Sequence, residues 1–153
     1  MDIDIVFYNN TENLDIDSII NNLDIDIFSN YIDSLNLNFE SIYLEYSFIS
    51  SDDMIKLNID SLNHDYDTDI LSFDLSLEES NLFGNFYLSL SKIKENNIDY
   101  NSTLINELYR VIIHGFLHLI GFNDSTDKEI EVIRNEENKF LNYLNNYVPR
   151  GTV

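Results

Sequence analysis

A long apolar helical stretch constrains the fold of this chain more than any other feature. Either Ser102 or Thr103 can cap its first turn. Large apolar side chains then crowd several sides of the helix: Leu104, Leu108, Ile112, Leu117 and Leu119. A helix that is apolar around much of its circumference must be buried. We therefore expect this helix to lie at the centre of the fold.

Two histidines interrupt this apolar helix. His114 and His118 are four residues apart, so their imidazoles project from the same face, one turn apart. An imidazole without a partner in an apolar environment costs free energy, which favours a shared ligand. Pairs with this spacing are also common in ordinary helices, so the spacing alone leaves a structural interpretation open.

The residues after the helix supply a third potential ligand. Gly121 can end the helix in a left-handed conformation, after which the chain can reverse toward Asp124. Two imidazoles and one carboxylate would leave a coordination position open, as a catalytic zinc ion requires. Read alone, Asp124 is interpreted as an ordinary turn residue, because Asn-Asp after a helix-ending glycine is common turn chemistry.

Hydrophobic periodicity predicts an α+β order for the rest of the chain. Alternation of apolar and polar residues predicts strands over 3–8, 41–50, 69–75 and 83–90. Helical patterns cover 14–35, 54–62 with caps at 51–53, 91–97, the apolar stretch, and 127–147. The predicted order is βαβαββααα, and no strand order within a sheet follows from it.

The composition narrows the class of protein. A chain of 153 residues with 44% hydrophobic residues is long enough for one domain with a real core. The absence of cysteine excludes both disulfides and a thiolate metal site. No apolar run reaches membrane-spanning length, and the acidic N-terminus lacks the basic start of a signal peptide. We therefore expect no membrane association and a cytoplasmic location.

The net charge of −20 limits how the chain could meet a nucleic acid. RNA binding depends on phosphate contacts from lysine and arginine. Lys56 is the only basic residue before Lys92, so any positive surface must be local and formed by the C-terminal half. Repulsion by the remaining surface should slow encounter with RNA and make a partner or a metal ion more important.

The string around the histidines reads His114-Gly-Phe-Leu-His118-Leu-Ile-Gly121-Phe-Asn-Asp124. It resembles the signature of the YbeY family, the metal-dependent endoribonucleases that act as rRNA maturation factors. Residues 57–73 and 84–89 are similar to two further blocks of the family, in the family's order, so the similarity spans residues from about 57 to 137. The family's usual third ligand is a histidine at the position of Asp124, and a carboxylate is also a legitimate zinc ligand.

The resemblance carries expectations for the whole chain. It implies a single metallohydrolase domain over residues 1–153, with a mixed four-stranded sheet packed with helices around a central metal-bearing helix. It implies one Zn²⁺ held by His114, His118 and Asp124. The expected reaction is attack of metal-activated water on a phosphodiester of single-stranded RNA, in rRNA maturation and ribosome quality control. Expected partners are an rRNA precursor and ribosomal proteins or ribosome-associated factors, with no role for DNA.

Besides Asp124, the chain departs from the family's pattern at three positions. Leu62 stands where the family usually has an arginine that is thought to act at the active site. His64 replaces a lysine, and Asn85 replaces an aspartate. The metal ligands are therefore better preserved than the residues that would handle phosphate.

Arg110 and the segment from Arg134 to Glu137 have more than one interpretation. Arg110 lies one turn before His114, so its spacing predicts either a helix ion pair with Glu107 or a catalytic cation. In the second role it would touch phosphate or orient a carboxylate, and it is expected to act beside the catalytic His114 and His118. Arg134 and Glu137 resemble a family segment on the next helix, and we interpret them as mainly structural.

Two other classes of function stay open. One is a metallopeptidase-like hydrolase, against which Gly115 argues, because a zinc protease of the His-Glu-x-x-His type carries its glutamate there. The other is a weakly active ribosome-associated metalloprotein. The acidic surface and the missing arginine at Leu62 favour this last alternative.

Overall fold

Alternating apolar residues form four strands of one mixed sheet within the part of the chain that the computed structural model describes, residues 1–62, 68–144 and 147–151. The strands are β1 (Asp2–Asn9), β2 (Ser41–Ile49), β3 (Ile70–Asp74) and β4 (Asn81–Ser89). Their order is β1-β2-β4-β3, with β1, β2 and β4 parallel and β3 antiparallel to β4. The predicted mixed four-stranded sheet is confirmed.

Apolar side chains place the central strands in the interior of the fold. In β2, Ile42, Leu44, Tyr46 and Phe48 all face the interior and are almost fully buried. β1 lies at one edge, where its aspartates remain exposed, so its alternation of apolar and acidic residues suits a half-buried strand.

The described residues also form six helices. They are α1 (Asp15–Asn21), α2 (Ile25–Ser34), α3 (Ser51–Leu62), α4 (Leu90–Asp99), α5 (Leu104–Leu119) and α6 (Asp127–Leu141). None of these helices combines the length and apolarity needed to cross a membrane.

Helix α5 is the predicted apolar helix, and the prediction that it lies centrally is confirmed. Between Asn106 and Leu117 every residue except His114 is buried. The Tyr46 hydroxyl of β2 donates a hydrogen bond of 3.1 Å to the Ile112 carbonyl, which fixes the helix against the sheet. Because α5 is packed in the core, the half-buried His114 and His118 on its partly exposed face are held in place.

The single helix predicted over residues 14–35 is wrong, because the chain forms α1 and α2 instead. Asp24 has extended backbone angles between them, and Leu23 is buried in the core. The hydroxyl of Tyr109 on α5 accepts the backbone N–H of Asp24 at 2.9 Å. This break is stabilised by a contact with a residue distant in sequence, which periodicity cannot reveal.

The last helix is shorter than predicted, since α6 ends at Leu141 rather than at residue 147. Residues 142–144 and 147–151 are not helical, and side chains of α5 contact the second of these stretches. Asn106 donates to the Val148 carbonyl at 3.3 Å, and Arg110 donates to the Tyr147 hydroxyl at 3.3 Å.

Candidate metal centre

Three side-chain atoms converge where α5 ends. The Nε2 atoms of His114 and His118 are 2.9 Å apart. The Oδ2 atom of Asp124 lies 3.2 Å from the Nε2 of His118 and 3.6 Å from that of His114. A tetrahedral zinc ion with bonds of about 2.0–2.1 Å holds its ligand atoms about 3.3 Å apart. The predicted ligand set therefore comes together with the spacing such an ion needs.

Hydrogen bonds at both ends fix the loop that carries Asp124. At the end of α5, Phe122 N–H donates to the Leu117 carbonyl at 3.0 Å and Gly121 N–H to the His118 carbonyl at 3.1 Å. Gly121 has φ +109°, as this left-handed helix ending requires. The predicted role of Gly121 is confirmed.

The following helix begins with a second fixed point. Thr126 accepts the backbone N–H of Glu129 at 3.1 Å, and the Glu129 carboxylate accepts the N–H of Thr126 at 3.0 Å. This reciprocal pair is a capping box. Asp124 therefore sits on a short loop whose two ends are set by backbone geometry.

Each imidazole is oriented through its other ring nitrogen. The Nδ1 of His114 lies 2.6 Å from a carboxylate oxygen of Glu137, and the Nδ1 of His118 lies 2.9 Å from the Phe122 carbonyl. Both partners only accept, so both Nδ1 atoms carry hydrogen and donate. In neutral rings the two Nε2 lone pairs then face each other and a carboxylate oxygen. Such an arrangement requires a cation between them, either a proton or a metal ion.

The Glu137 carboxylate joins His114 to Arg110. Arg110 Nη1 donates to Glu137 at 2.8 Å, and Arg110 is only 5% exposed. Its Nη2 also donates to the Asn138 side chain at 3.0 Å. The alternative of an ion pair between Arg110 and Glu107 is wrong, because Glu107 pairs with Arg150 instead.

The electrostatics keep Glu137 charged. Burial would raise the pKa of Glu137, but His114 and Arg110 together hold it below its usual range. Burial would lower the pKa of His114, but the hydrogen bond and charge of Glu137, aided by Asp69 and Asp124, raise it. Without a metal ion the His114 ring therefore attracts a proton, so acid competes with a metal ion for the same site.

The sequence predicts a mainly structural Glu137 and does not reveal that its carboxylate contacts His114. No fixed spacing connects it to the ligands, since it comes from α6 across the fold. The one available signal was its place in a segment that resembles the family's. A carboxylate behind a metal-binding histidine fixes the tautomer and the orientation of the ring.

Among the other positions that depart from the family's pattern, Leu62 and Asn85 fall within the described residues. Leu62 is 51% exposed at the C-terminal end of α3. His64 falls outside the described residues. Asn85, on β4, donates to the Tyr87 hydroxyl at 3.1 Å.

Exchange of the third ligand gives a direct test of the site. Asp124→His is expected to retain metal binding, whereas Asp124→Ala should weaken it by more than the roughly 10–100-fold that loss of an orienting partner costs. Calorimetric titration with zinc measures the dissociation constant of each variant. Asn123→Ala is the matched control on the same loop and should bind as the wild type does. Equal binding by Asp124→Ala and Asp124→His would make Asp124 a turn residue only.

Comparisons with known proteins agree with the motif blocks and extend beyond them. A family model described as Endoribonuclease YbeY matches residues 6–145. A protein named Endoribonuclease YbeY from Azobacteroides pseudotrichonymphae genomovar. CFP2 is 47% identical over 94 residues, which are 61% of this chain and 67% of that protein. One of the same name from Cytophaga hutchinsonii is 41% identical over 98 residues, 64% of this chain and 68% of that protein.

A solved structure supports the fold independently. The solution structure of TM1509 from Thermotoga maritima matches with a TM-score of 0.61 and covers 89% of this chain and 85% of that one. The two sequences are 24% identical, so this likeness concerns the fold alone.

Proposed function

Because this chain belongs to the YbeY endoribonuclease family, we propose that it is a metal-dependent endoribonuclease that cleaves single-stranded RNA in rRNA maturation and ribosome quality control. The observation that carries the proposal is the meeting of two lone-pair-bearing Nε2 atoms and one carboxylate oxygen within 3.6 Å of one another. The catalytic unit is the single metallohydrolase domain of residues 1–153.

The bound ion proposed is Zn²⁺, because imidazole and carboxylate form a common zinc ligand set. His114, His118 and Asp124 would hold it. When bound, such an ion supplies an activated water, whose pKa it lowers to roughly 7, and polarises a phosphoryl oxygen. Asp124 is 48% exposed in its side chain, so this side of the centre is open to a polymeric substrate.

Arg110 acts in this proposal as a positioning residue. Its guanidinium is buried against Glu137, Asn138 and Tyr147, so it has little freedom to reach a phosphate. It holds the Glu137 carboxylate, and that carboxylate holds His114. The spacing of Arg110 predicted a cation that touches phosphate or orients a carboxylate. Of these two catalytic roles, we propose the second.

Helix packing around Gly115 favours a nuclease over a peptidase. A Cβ atom at Gly115 would lie 2.5 Å from the Cδ1 of Ile70 and 3.1 Å from a ring carbon of Phe86. A glutamate at this position would therefore push into the sheet rather than reach the ligands. The base of a His-Glu-x-x-His peptidase would have to displace the Ile70 and Phe86 side chains here, and an anionic RNA substrate depends more on charge neutralisation.

The partners and location that accompany this function are an rRNA precursor, ribosomal proteins or ribosome-associated factors, and the cytoplasm. The net charge of −20 opposes encounter with free RNA, so a partner would help the protein reach its substrate. We expect cleavage of free RNA to be strongly sensitive to salt, because salt screens the charges of both molecules.

The decisive assay follows cleavage of single-stranded RNA and of a peptide side by side, with and without chelator. We expect RNA cleavage that requires metal, no peptide cleavage, and no RNA cleavage by His114→Ala. Cleavage that persists in chelator and in His114→Ala would come from a contaminating nuclease. Zinc binding without any cleavage would instead support the ribosome-associated metalloprotein.

Restoring the family's arginine should increase activity. Leu62→Arg adds a cation at the position where the family usually has one, and a single electrostatic donor can be worth roughly 10²–10³ in rate. We expect RNA cleavage to accelerate, by up to about 10²-fold if no other cation has taken over the role. Ile59→Arg is the matched control, because Ile59 is also exposed on α3. Equal acceleration by both variants would indicate a general charge effect.

A further inference from the structure

All three arginines of the chain line one recess. Arg110, Arg134 and Arg150 are the only arginines in the sequence. They surround a recess of about 170 Å³ that His114 also lines. In a chain with 28 acidic and 8 basic residues, this is an unusual concentration of guanidinium groups. The recess begins at one of the proposed metal ligands.

Two of these arginines are already neutralised. Arg110 pairs with Glu137, and Arg150 pairs with the buried Glu107. The Arg150 guanidinium also lies over the ring of Tyr100, 3.9 Å from its centroid. Their charges hold the walls of the recess together and are not available to a ligand.

Arg134 differs from both. It is exposed on α6, one turn before Glu137, and it makes no ion pair with any residue in the described ranges. Glu137 on the same helix reaches His114, so the guanidinium of Arg134 is placed at the recess that adjoins the metal ligands. An arginine with no ion pair among residues 1–62, 68–144 and 147–151 can bind an anion.

We propose that Arg134 binds a backbone phosphate of the RNA substrate, adjacent to the phosphodiester that is cleaved. The inference rests on the proposed function and adds a substrate-binding residue to it. A guanidinium donates two parallel hydrogen bonds to phosphate oxygens, which suits a phosphodiester. Single-stranded RNA presents a phosphate at every nucleotide, so a substrate held at His114 has another phosphate nearby. Arg134 thereby offsets part of the cation deficit left by Leu62.

The test measures kcat and KM for a single-stranded RNA of twelve nucleotides over a range of salt concentrations. Arg134→Gln is expected to raise KM roughly tenfold, as loss of hydrogen bonds to a charged group would, and to leave kcat within about twofold. The slope of log KM against log salt should fall by about 0.7, which corresponds to one phosphate contact on a single strand. Arg134→Lys should restore the slope and part of the KM.

Lys139→Gln is the matched control, because it removes one positive charge from the same helix. Lys139 pairs with Glu136 and does not line the recess. Equal effects of Arg134→Gln and Lys139→Gln on KM and on the salt slope would overturn the inference while the proposed function stands. A wild-type protein that fails to cleave the RNA in the presence of zinc would remove the proposed function, and the inference with it.

Discussion

Replacement of His118 by alanine is expected to abolish metal binding and RNA cleavage together. The Nε2 of His118 lies 2.9 Å from the Nε2 of His114 and 3.2 Å from the Oδ2 of Asp124. Without it, one imidazole and one exposed carboxylate remain, too few to hold a catalytic ion. We expect cleavage to fall by roughly 10³-fold or more, since both the activated water and the charge neutralisation are lost.

Metal content and thermal stability measure this loss without reference to activity. A ligand at 100 times its Kd stabilises the folded state by about 2.7 kcal/mol, which for a chain of this size raises Tm by roughly 5–11 °C. Zinc should produce such a shift in the wild type and none in His118→Ala. His64→Ala, which removes the remaining histidine, is the control and should still bind one ion. Unchanged metal content in His118→Ala would remove the site assignment.

Glu137→Ala is expected to have the second large effect, on stability and on the metal site at once. The variant leaves Arg110 buried without its carboxylate, and breaking a buried ion pair in this way costs about 3–5 kcal/mol. It also removes the acceptor that orients His114 at 2.6 Å. Metal affinity should also fall, by about 10–100-fold.

Thermal unfolding and zinc titration separate these two effects. Glu137→Ala should lower Tm by roughly 6–20 °C in the absence of metal. Glu137→Gln keeps an acceptor but loses the charge, so it should fold better than Glu137→Ala and still bind zinc more weakly than the wild type. Glu131→Ala removes an exposed carboxylate from the same helix and should change neither quantity. A normal zinc affinity in Glu137→Gln would show that Glu137 serves the fold only.

The sequence was sufficient where the information is local. The apolar pattern of α5 predicted its burial, and the spacing of His114 and His118 with Gly121 predicted that the two imidazoles meet the Asp124 carboxylate. These features depend on helix geometry and on one glycine conformation, which neighbouring residues determine. The alternating strands were predicted for the same reason.

The sequence was insufficient where distant residues meet. The break between α1 and α2 depends on the Tyr109 hydroxyl, and the end of α6 is followed by a segment that Asn106 holds. Arg110 had a suitable partner in Glu107 by spacing, yet it pairs with Glu137 on another helix. Such choices depend on tertiary packing, which a periodic pattern does not encode.

The loop that carries Asp124 has a consequence for how this centre can diversify among relatives. The backbone between Gly121 and Thr126 is fixed by hydrogen bonds that involve neither the side chain nor the charge of residue 124. An aspartate and a histidine can therefore exchange at this position without remodelling the helices on either side. The exchange alters the charge around the ion by one unit, so a lineage can adjust the Lewis acidity of its centre, and its preference among metals, by a single substitution.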